Sequence, residues 1–518
     1  FIALAQLPLV FLLGTKNSAL SFLLGPGHGW ERLNFLHRWS ARAMFLCATL
    51  HGALWIRNHR IWDIEILGEQ KETSGIAAFG VLGGLVIFSI RLVRNKSWEA
   101  FWWVHLLGTS AFFITICYHT PYASPWIFPP LAFYGLDLLL RMVRTRVKDA
   151  VLVPVDKQMT LIHIPYATSG WVAGQHVRLR TFVGGVKIWE SHPLTIMVAP
   201  TGKGCVDSYM GGITLGARVA GNWTRVLNEY ARQAGEERVL DDLKMESSRT
   251  EKEKGGRSDR VPVPIHVMMD GPYGGSSIDL GEFETVLLFA GGSGATFTIG
   301  LLDDIVGRCV KLGRPNGERT RRIEWAWCVR SFGSIEWFAS ALNDIAMVAA
   351  SSLLTENPVH LHISIYVTCL CNPEAVPSIP NCDVTIVRPS VYKALEDLIR
   401  PRDSDDLETG RPSTAHGSSS KVRPISGSST SPSAEAQEEC EKPAAHVSTA
   451  EAEIEVLGED DMKVFASDKL PRIRENGGVG VAAAGPASLT REASNAVARI
   501  GLRAGLGKVG LHTEVYGI

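Results

Sequence analysis

Four histidines form two matched pairs in the apolar first part of the chain. His37 and His51 are 14 residues apart, and His105 and His119 have the same separation. Fourteen residues make about four helical turns, so each pair lies on one face of a helix with its members roughly 21 Å apart along the axis. Ionisable side chains at membrane depth are costly and usually functional.

The two histidine-bearing segments run in the same direction, because one apolar segment lies between them. The first histidines of the two pairs should therefore face each other, and so should the second ones. Two imidazoles on facing helices are a suitable axial ligand set for a six-coordinate, electron-transferring haem. A lone histidine would also be compatible with a satisfied polar residue or a proton relay. His28 and His59 lack a partner at this spacing and are interpreted as ordinary.

A series of apolar segments surrounds these histidines. Each complete one has about 15–23 residues, close to the length of a membrane-spanning helix. A buried helical core is the alternative for any single segment, but the series favours a transmembrane bundle. Basic residues follow the last segment and place its end in the cytosol. After an incomplete segment at 1–13, the segments cover residues 34–56, 76–90, 101–118 and 126–143.

A glycine-rich turn follows a short β-type run at 285–290 and precedes a helical run. This order is typical of a phosphate cradle, because glycines allow close backbone approach and a helix N-terminus favours an anion. Plain strand-to-helix turns also use glycine. Apolar runs at 322–331, 362–369, 384–390 and 480–489 predict a mostly parallel sheet with ligands at its strand carboxyl ends. The turn consists of Gly291, Gly292, Ser293, Gly294, Ala295 and Thr296.

Between these two parts, the pattern changes to short alternating segments broken by glycine and proline. The segments at 159–165, 175–182 and 264–270 predict a small antiparallel barrel. The tetrapeptide His192-Pro193-Leu194-Thr195 lies within it. On its own, this tetrapeptide is weak evidence for a cofactor-binding site. Its position between a membrane module and a nucleotide motif makes the evidence stronger.

Composition limits the classes of function. The 518 residues predict two or three domains, and 52 basic against 53 acidic residues give no bulk basic field for nucleic acid. The mean hydropathy of +0.08 averages two unlike parts. The nine cysteines include no CxxC pair, which argues against a zinc site or a disulfide framework. Phe1 opens inside an apolar run, so we expect a truncated N-terminus.

Three domains follow from these patterns. We predict a transmembrane domain at 1–148, a barrel at 149–275 and an α/β nucleotide domain at 282–518. Residues 228–260 are highly charged and predict a solvated insertion. Residues 401–450 are rich in Ser and Pro and predict a disordered insertion.

Taken together, the motifs resemble the ferric reductase and NADPH oxidase superfamily. The similarity is carried by LNFLHRWSARAMFLCATLH at 33–51, by residues 89–108, by YHTP at 118–121 and by HPLT, which is most similar to the fungal metalloreductase branch. The resemblance implies a helical transmembrane haem bundle, an antiparallel FAD-binding barrel and a Rossmann-like NADP-binding domain. It also implies two b-type haems, FAD and NADPH as cofactors.

The resemblance further implies residue roles. The tetrapeptide lies along the flavin ring, with His192 positioning it and the Thr195 hydroxyl reaching its reactive edge. Ala484 stands where relatives have a cysteine near the nicotinamide, and Val387 where a glycine is common; we interpret both as tuning. For Arg330 and Arg388, the alternative is that they are surface caps without a ligand. For Tyr516, the alternative is a routine position in a buried terminal strand. The implied contacts are Pro193, Leu194, Gly212 and Thr214 for FAD, Arg330 and Arg388 for the NADPH phosphate, Gly485 and Pro486 for the nicotinamide, and Tyr516 over the flavin.

The expected function is electron transfer from NADPH through FAD and two haems to an external Fe(III) or Cu(II) chelate. This implies a plasma-membrane enzyme with cytosolic nucleotide domains, working with iron-uptake partner proteins. A superoxide-generating NADPH oxidase uses the same parts and is the first alternative. A non-enzymatic transporter with a degenerate reductase tail, supported only by Ala484, is the second.

Overall fold

The computed structural model has two compact units, Phe1–Gly202 with Asp207–Asp279 and Lys203–Val206 with Leu280–Ile518. The first unit contains a helical bundle and a six-stranded sheet, and the second an eight-stranded sheet. The structure describes residues 1–183, 190–207, 211–246, 261–369, 377–399, 444–447, 454–457, 470–471, 476–501 and 507–516.

Eight helices form the first part of the chain. They are α1 (Ile2–Ala5), α2 (Leu7–Gly14), α3 (Ala19–Leu24), α4 (Trp30–Ile61), α5 (Gln70–Phe88), α6 (Arg91–Lys96), α7 (Trp98–His119) and α8 (Ser124–Arg144). By length and apolar composition, α5, α7 and the stretch Pro121–Arg144 can cross a membrane. Helix α4 has 32 residues and is long enough as well, although charged residues lower its average hydropathy. The predicted transmembrane bundle is confirmed.

Most apolar side chains of the bundle point away from its small core. On α7, Leu107 and Ile114 are about 60% exposed, whereas Phe112 and Ile116 are buried. A helix that is apolar on all sides suits a lipid environment, where outward-facing apolar residues are not penalised. Local signals fix where the helices begin. The Ser97 hydroxyl accepts the Ala100 N–H at the start of α7.

The six-stranded sheet follows directly from α8 and is antiparallel throughout. Its order is β4-β3-β6-β1-β2-β5. A bridge between Ile196 and Leu215 joins its two outer edges, so the sheet closes like a barrel, as predicted. The strands are β1 (Arg146–Pro154), β2 (Met159–Ile164), β3 (Gln175–Thr181), β4 (His192–Thr195), β5 (Ile213–Arg218) and β6 (Val263–Gly274).

The charged segment at 228–260 is not simply a solvated insertion. It begins inside helix α9 (Asn222–Glu246), whose first turns pack on the barrel. Leu227 and Asn228 are buried, and the Asn228 amide donates to the Thr160 hydroxyl at 2.8 Å. The high average charge of the segment concealed the buried face of this helix, which continues to Ala231. Residues 247–260 lie outside the described residues.

The barrel is fastened to the cytosolic side predicted for the bundle. Arg144, the last residue of α8, donates to the Asn17 side chain at 2.8 Å and to the Pro272 carbonyl at 3.4 Å. The Gly27 N–H donates to the Gly274 carbonyl at 3.1 Å. Because β6 pairs with β3 and β3 with β4, these contacts fix the tetrapeptide strand relative to the helices.

The second unit is built on a sheet of order β12-β11-β10-β9-β8-β7-β13-β14. The six strands from β10 to β14 in this order are parallel, which confirms the predicted α/β fold. Its strands are β7 (Thr285–Gly291), β8 (Arg322–Val329), β9 (His360–Val367), β10 (Cys382–Ile386), β11 (Ala444–Val447), β12 (Ile454–Leu457), β13 (Val479–Gly485) and β14 (Val509–Val515). Its helices are α10 (Ala295–Val306), α11 (Ala339–Ser351), α12 (Val391–Ile399) and α13 (Ala487–Ile500).

Central strands of this sheet are buried on both faces. In β7 and β13 nearly every residue is buried, as expected for parallel strands covered by helices. Strand β11 lies within the segment 401–450 that was predicted to be disordered, so that prediction is wrong for Ala444–Val447. The rest of that segment lies outside the described residues.

A buried polar network lies within this sheet, centred on His362. His362 is between two carboxylates, with Nδ1 2.8 Å from Glu324 and Nε2 2.9 Å from Asp383. Burial alone would lower its pKa, but the two carboxylates outweigh burial and raise the pKa to about 9. Since Glu324 also accepts the Ser364 hydroxyl at 2.5 Å, this is a satisfied polar network inside a β-sheet.

Candidate functional site

The structure brings the four predicted histidines together in two pairs. The rings of His37 and His105 have centroids 6.3 Å apart, and those of His51 and His119 are 6.2 Å apart. Helix α4 supplies one member of each pair and α7 supplies the other. The equal spacing along the two helices therefore gives two similar sites at different depths.

These separations fit a metal held between two imidazoles. An imidazole nitrogen binds a metal at about 2 Å and the ring centre lies about 1 Å farther out, so two axial rings on one metal have centres about 6 Å apart. Both observed separations match this value. The donor set also suits a low-spin haem that transfers electrons.

Backbone carbonyls hold one ring of each pair. His37 Nδ1 lies 2.8 Å from the Val10 carbonyl oxygen, and His119 Nδ1 lies 2.7 Å from the Lys71 carbonyl oxygen. A carbonyl only accepts, so in both rings Nδ1 carries the hydrogen and Nε2 is left for a metal. Within the described residues, His105 Nδ1 is buried without a hydrogen-bond partner.

The tetrapeptide predicted to bind a flavin forms β4. Its four residues pair with His176–Leu179 of β3, and Leu194 and Thr195 are buried. The His192 ring stacks on Trp223 with centroids 4.4 Å apart. Burial lowers the pKa of His192, and the nearby Glu190 carboxylate offsets part of this shift. The imidazole is therefore neutral at physiological pH and offers a flat, uncharged surface.

Arg178 supports the same strand from its neighbour. Its guanidinium donates to the Ser191 carbonyl at 2.8 Å and to the Ser191 hydroxyl at 2.9 Å. Ser191 immediately precedes His192, so this contact fixes the chain where the tetrapeptide begins. Burial lowers the pKa of Arg178, and the Arg141 cation of α8 lowers it further.

The second predicted flavin segment lies at the start of β5. A side chain at Gly212 would overlap the backbone carbonyl of Ile164, so only glycine fits there. The Thr214 hydroxyl is 3.1 Å from His163 Nδ1, and burial lowers the pKa of His163 to about 4. The close approach at Gly212 explains this glycine structurally, and its contact with FAD stays a prediction.

The glycine-rich turn and two distant segments meet in the second unit. After β7, the turn Gly292–Gly294 leads directly into α10. A Cβ at Gly294 would overlap the Ala484 carbonyl at the end of β13. The Tyr516 N–H donates to the Gly485 carbonyl at 2.8 Å, and the Tyr516 hydroxyl lies 3.4 Å from the Thr296 hydroxyl.

These contacts put the predicted phosphate cradle, the Gly485-Pro486 turn and the terminal tyrosine at the carboxyl ends of adjacent parallel strands. Gly485 has φ of +156° and lies against Gly291, so the two turns approach closely. The helical turn Gly292–Gly294 continues into α10, and the Ala295 N–H donates to the Gly292 and Ser293 carbonyls. The N-terminal end of this helical stretch, which favours an anion, therefore lies at the carboxyl end of β7.

The two predicted phosphate-binding arginines follow other strands of the same sheet. Arg330 comes one residue after β8, and Arg388 comes two residues after β10. Both are exposed at the carboxyl-end edge. Cys328, which is half-buried, lies near Arg388. Desolvation raises the pKa of the Cys328 thiol, and the Arg388 cation offsets part of this shift. Binding of a nucleotide phosphate by these arginines stays a prediction.

Several residues at these sites were not singled out from the sequence. Val10 and Lys71 act through their carbonyls, which carry no side-chain signal. Trp223 was overlooked because it precedes the charged segment, although an aromatic residue at the start of a polar helix was a usable sign. His59, interpreted as ordinary, packs against Trp55 with ring centroids 3.7 Å apart. Its Nε2 lies 3.3 Å from the carboxylate of Glu72, the neighbour of Lys71.

Three family models match the chain in order. They are described as ferric reductase like transmembrane component at residues 1–116, FAD-binding domain at 143–277 and ferric reductase NAD binding domain at 283–498. Together they cover most of the bundle, the barrel and most of the parallel sheet. Residues 117–142, which include His119 and most of α8, and strand β14 lie outside the three matches.

Curated relatives agree with these models. Ferric reductase transmembrane component 3 of Saccharomyces cerevisiae is 26% identical over 354 residues, which is 66% of this chain and 43% of the relative. A probable cell surface ferric reductase of Aspergillus oryzae is 26% identical over 391 residues, which is 70% of this chain and 46% of the relative. The chain thus spans less than half the length of these relatives.

Among solved structures, flavohemoglobin from Malassezia yamatoensis, with bound FAD and heme, aligns with 99% of this chain and 95% of its own at 10% identity. Its TM-score is 0.37, too low to support a conclusion.

Proposed function

Because the chain belongs to the ferric reductase family, we propose that it is a membrane-embedded enzyme that uses NADPH to reduce an Fe(III) chelate across the bilayer. The proposed cofactors are FAD, NADPH and two b-type haems. The observation that carries the proposal is the pair of imidazole separations, 6.3 and 6.2 Å, on two helices of the bundle.

When bound, FAD and NADPH supply hydride chemistry, and the haems supply single-electron transfer. The chain contributes the haem-binding histidines. His37 with His105 would hold one haem, and His51 with His119 would hold the other. A haem held by two imidazoles is suited to electron transfer.

The barrel contributes the flavin position. His192 and Thr195 lie on one short strand fixed by Arg178 and by stacking on Trp223. A neutral His192 would support the flavin ring without adding charge beside it. Tyr516 is proposed to cover the flavin, and Pro193, Leu194, Gly212 and Thr214 are proposed to complete the FAD contacts.

The second unit contributes the nucleotide position. Backbone amides of the glycine-rich turn and the start of α10 would receive the pyrophosphate. Arg330 and Arg388 would distinguish NADPH from NADH, because a guanidinium binds a phosphate through two parallel hydrogen bonds. Gly485 and Pro486 would border the nicotinamide.

The basic residues after α8 support a cytosolic position for both nucleotide-binding parts. Reduction would then occur on the opposite side of a plasma membrane. A Cu(II) chelate as second acceptor and iron-uptake proteins as partners belong to the same proposal.

A difference spectrum of membranes containing the full chain tests this function. Addition of NADPH should bleach the flavin and produce the sharp bands of reduced b-type haem, and an Fe(III) chelate should reverse them with formation of Fe(II). Membranes that show no haem bands would contradict the proposal. Haem that is reoxidised only by oxygen, with superoxide formed, would indicate an NADPH oxidase instead.

A further inference from the structure

Two glycines lie against the carbonyl-bonded histidine rings. A Cβ added at Gly14 would be 2.8 Å from His37 Nδ1, and one added at Gly75 would be 2.7 Å from His119 Nδ1. Real Cβ atoms do not approach a ring nitrogen this closely. Any other residue at either position would have to displace the imidazole or the helix that carries the glycine.

The glycines and the carbonyls belong together. Gly14 is four residues after Val10, and Gly75 is four residues after Lys71. In an α-helix the carbonyl of residue i accepts the N–H of residue i+4, which lies directly above it. A carbonyl oxygen has two lone pairs, so it can also accept an imidazole N–H. A side chain on residue i+4 would stand in the way of that second bond.

The same arrangement occurs once in each histidine pair. Helix α2 carries it for the pair His37 and His105, and the first turns of α5 carry it for His51 and His119. In each pair, one ring is hydrogen-bonded to a carbonyl, and a glycine beside that carbonyl leaves room for the ring. The repeat on two unrelated helices argues against chance packing of a single residue.

We propose that Gly14 and Gly75 are positioning residues that let a helix carbonyl hold His37 and His119 as strongly donating haem ligands. The inference rests on the haem assignment made above. A ring whose Nδ1–H donates to a carbonyl is the more basic ligand and favours Fe(III). Loss of that bond should make the iron easier to reduce.

The test compares Gly75→Ala and Gly14→Ala with Gly84→Ala and Gly52→Ala in the full-length protein. Gly84 lies on α5 and Gly52 lies beside a ligand on α4, and an added Cβ at either would meet nothing within 4 Å. The readouts are haem content, the midpoint potentials from a spectroscopic redox titration, and the low-spin ferric signals in electron paramagnetic resonance.

Gly14→Ala should raise the midpoint potential and shift the low-spin signal of the haem held by His37 and His105, and leave the other haem unchanged. Gly75→Ala should do the same to the haem held by His51 and His119. Selective loss of that one haem would support the same conclusion. Unchanged potentials and signals, loss of both haems together, or equal effects in the two control variants would overturn the proposal. A parent protein without any haem would refute the proposed function itself, so it is measured first.

Discussion

The helical bundle and the parallel sheet assemble their candidate sites in opposite ways. In the bundle, two helices supply all four histidines, and the distance along each helix decides which residues face each other. In the sheet, the turn at Gly294 lies about 190 residues before the end of β13, and Tyr516 lies about 30 residues after it. The three segments meet only because their strands are neighbours. In a regular helix, the spacing of residues in the sequence decides which side chains lie on one face. In a sheet, the order of the strands decides which residues lie side by side.

The two regions also differ in the hydrogen-bond partners that they give to their histidines. Buried His362 in the sheet has a carboxylate on each side and is held as a cation. In the bundle, His37 and His119 are each bonded to a neutral carbonyl. The first arrangement stabilises a fold, whereas the second leaves a ring nitrogen available to a metal. This comparison gives four predictions.

The largest effect is expected in the bundle. His105→Ala should remove one of the two haems, halving haem per protein and lowering chelate reduction at least 100-fold, because the pair loses an axial ligand. His28→Ala, which changes a histidine outside the pairs, is the control. Pyridine haemochrome measurement checks the stoichiometry, and two haems retained in His105→Ala would refute the assignment.

A smaller but still severe effect is expected from Gly294→Ala in the sheet. The added methyl group would overlap the Ala484 carbonyl and separate the two turns, so flavin reduction by NADPH should slow by roughly tenfold to 100-fold. Stopped-flow bleaching of the flavin measures this rate. Haem reduction by dithionite should remain as in the parent protein, and an unaltered bleaching rate would contradict the predicted cradle.

Arg330→Ala and Arg388→Ala should act on the choice of nucleotide. Each removes a charge-assisted contact with the 2′-phosphate, worth about 1.5–3 kcal/mol, so KM for NADPH should rise roughly tenfold or more. NADH lacks this phosphate, and its KM should change little. Steady-state kinetics with both nucleotides measure the difference. Parallel increases for NADPH and NADH would identify the arginines as ordinary surface residues.

The last effect concerns stability and its pH dependence, and no change in electron transfer is expected. Folded His362 has a pKa of about 9, above the ordinary value of 6.5, so the folded state binds its proton more tightly. Its stabilisation, on the order of 3 kcal/mol, is complete below pH 6.5 and is lost as pH rises through about 9. Thermal unfolding between these pH values should show the decline.

His362→Gln should flatten that decline, because glutamine carries no proton to lose. His360→Gln changes a histidine on the same strand whose pKa burial lowers, and this variant should keep the decline of the parent protein. Identical pH profiles for His362→Gln and the parent would show that His362 and its two carboxylate partners do not control stability in this pH range.

The amino-acid sequence alone determined the three-part architecture, the membrane segments and the pairing of His37 with His105 and of His51 with His119. These features depend on local periodicity, since a helix has a fixed rise and a buried strand a fixed alternation. Helix α9 was misjudged because the high average charge of residues 228–260 concealed a helix with a buried face that begins before them, at Asn222.

Only the tertiary structure decided which backbone groups complete the sites. The Val10 and Lys71 carbonyls exist in every residue, so no residue type marks them, and Gly14 and Gly75 gain meaning only from the ring packed against them. The meeting of Gly294 with Ala484 likewise depends on the order of β7 and β13 in the sheet. Such contacts join residues far apart in the chain, where local periodicity carries no information.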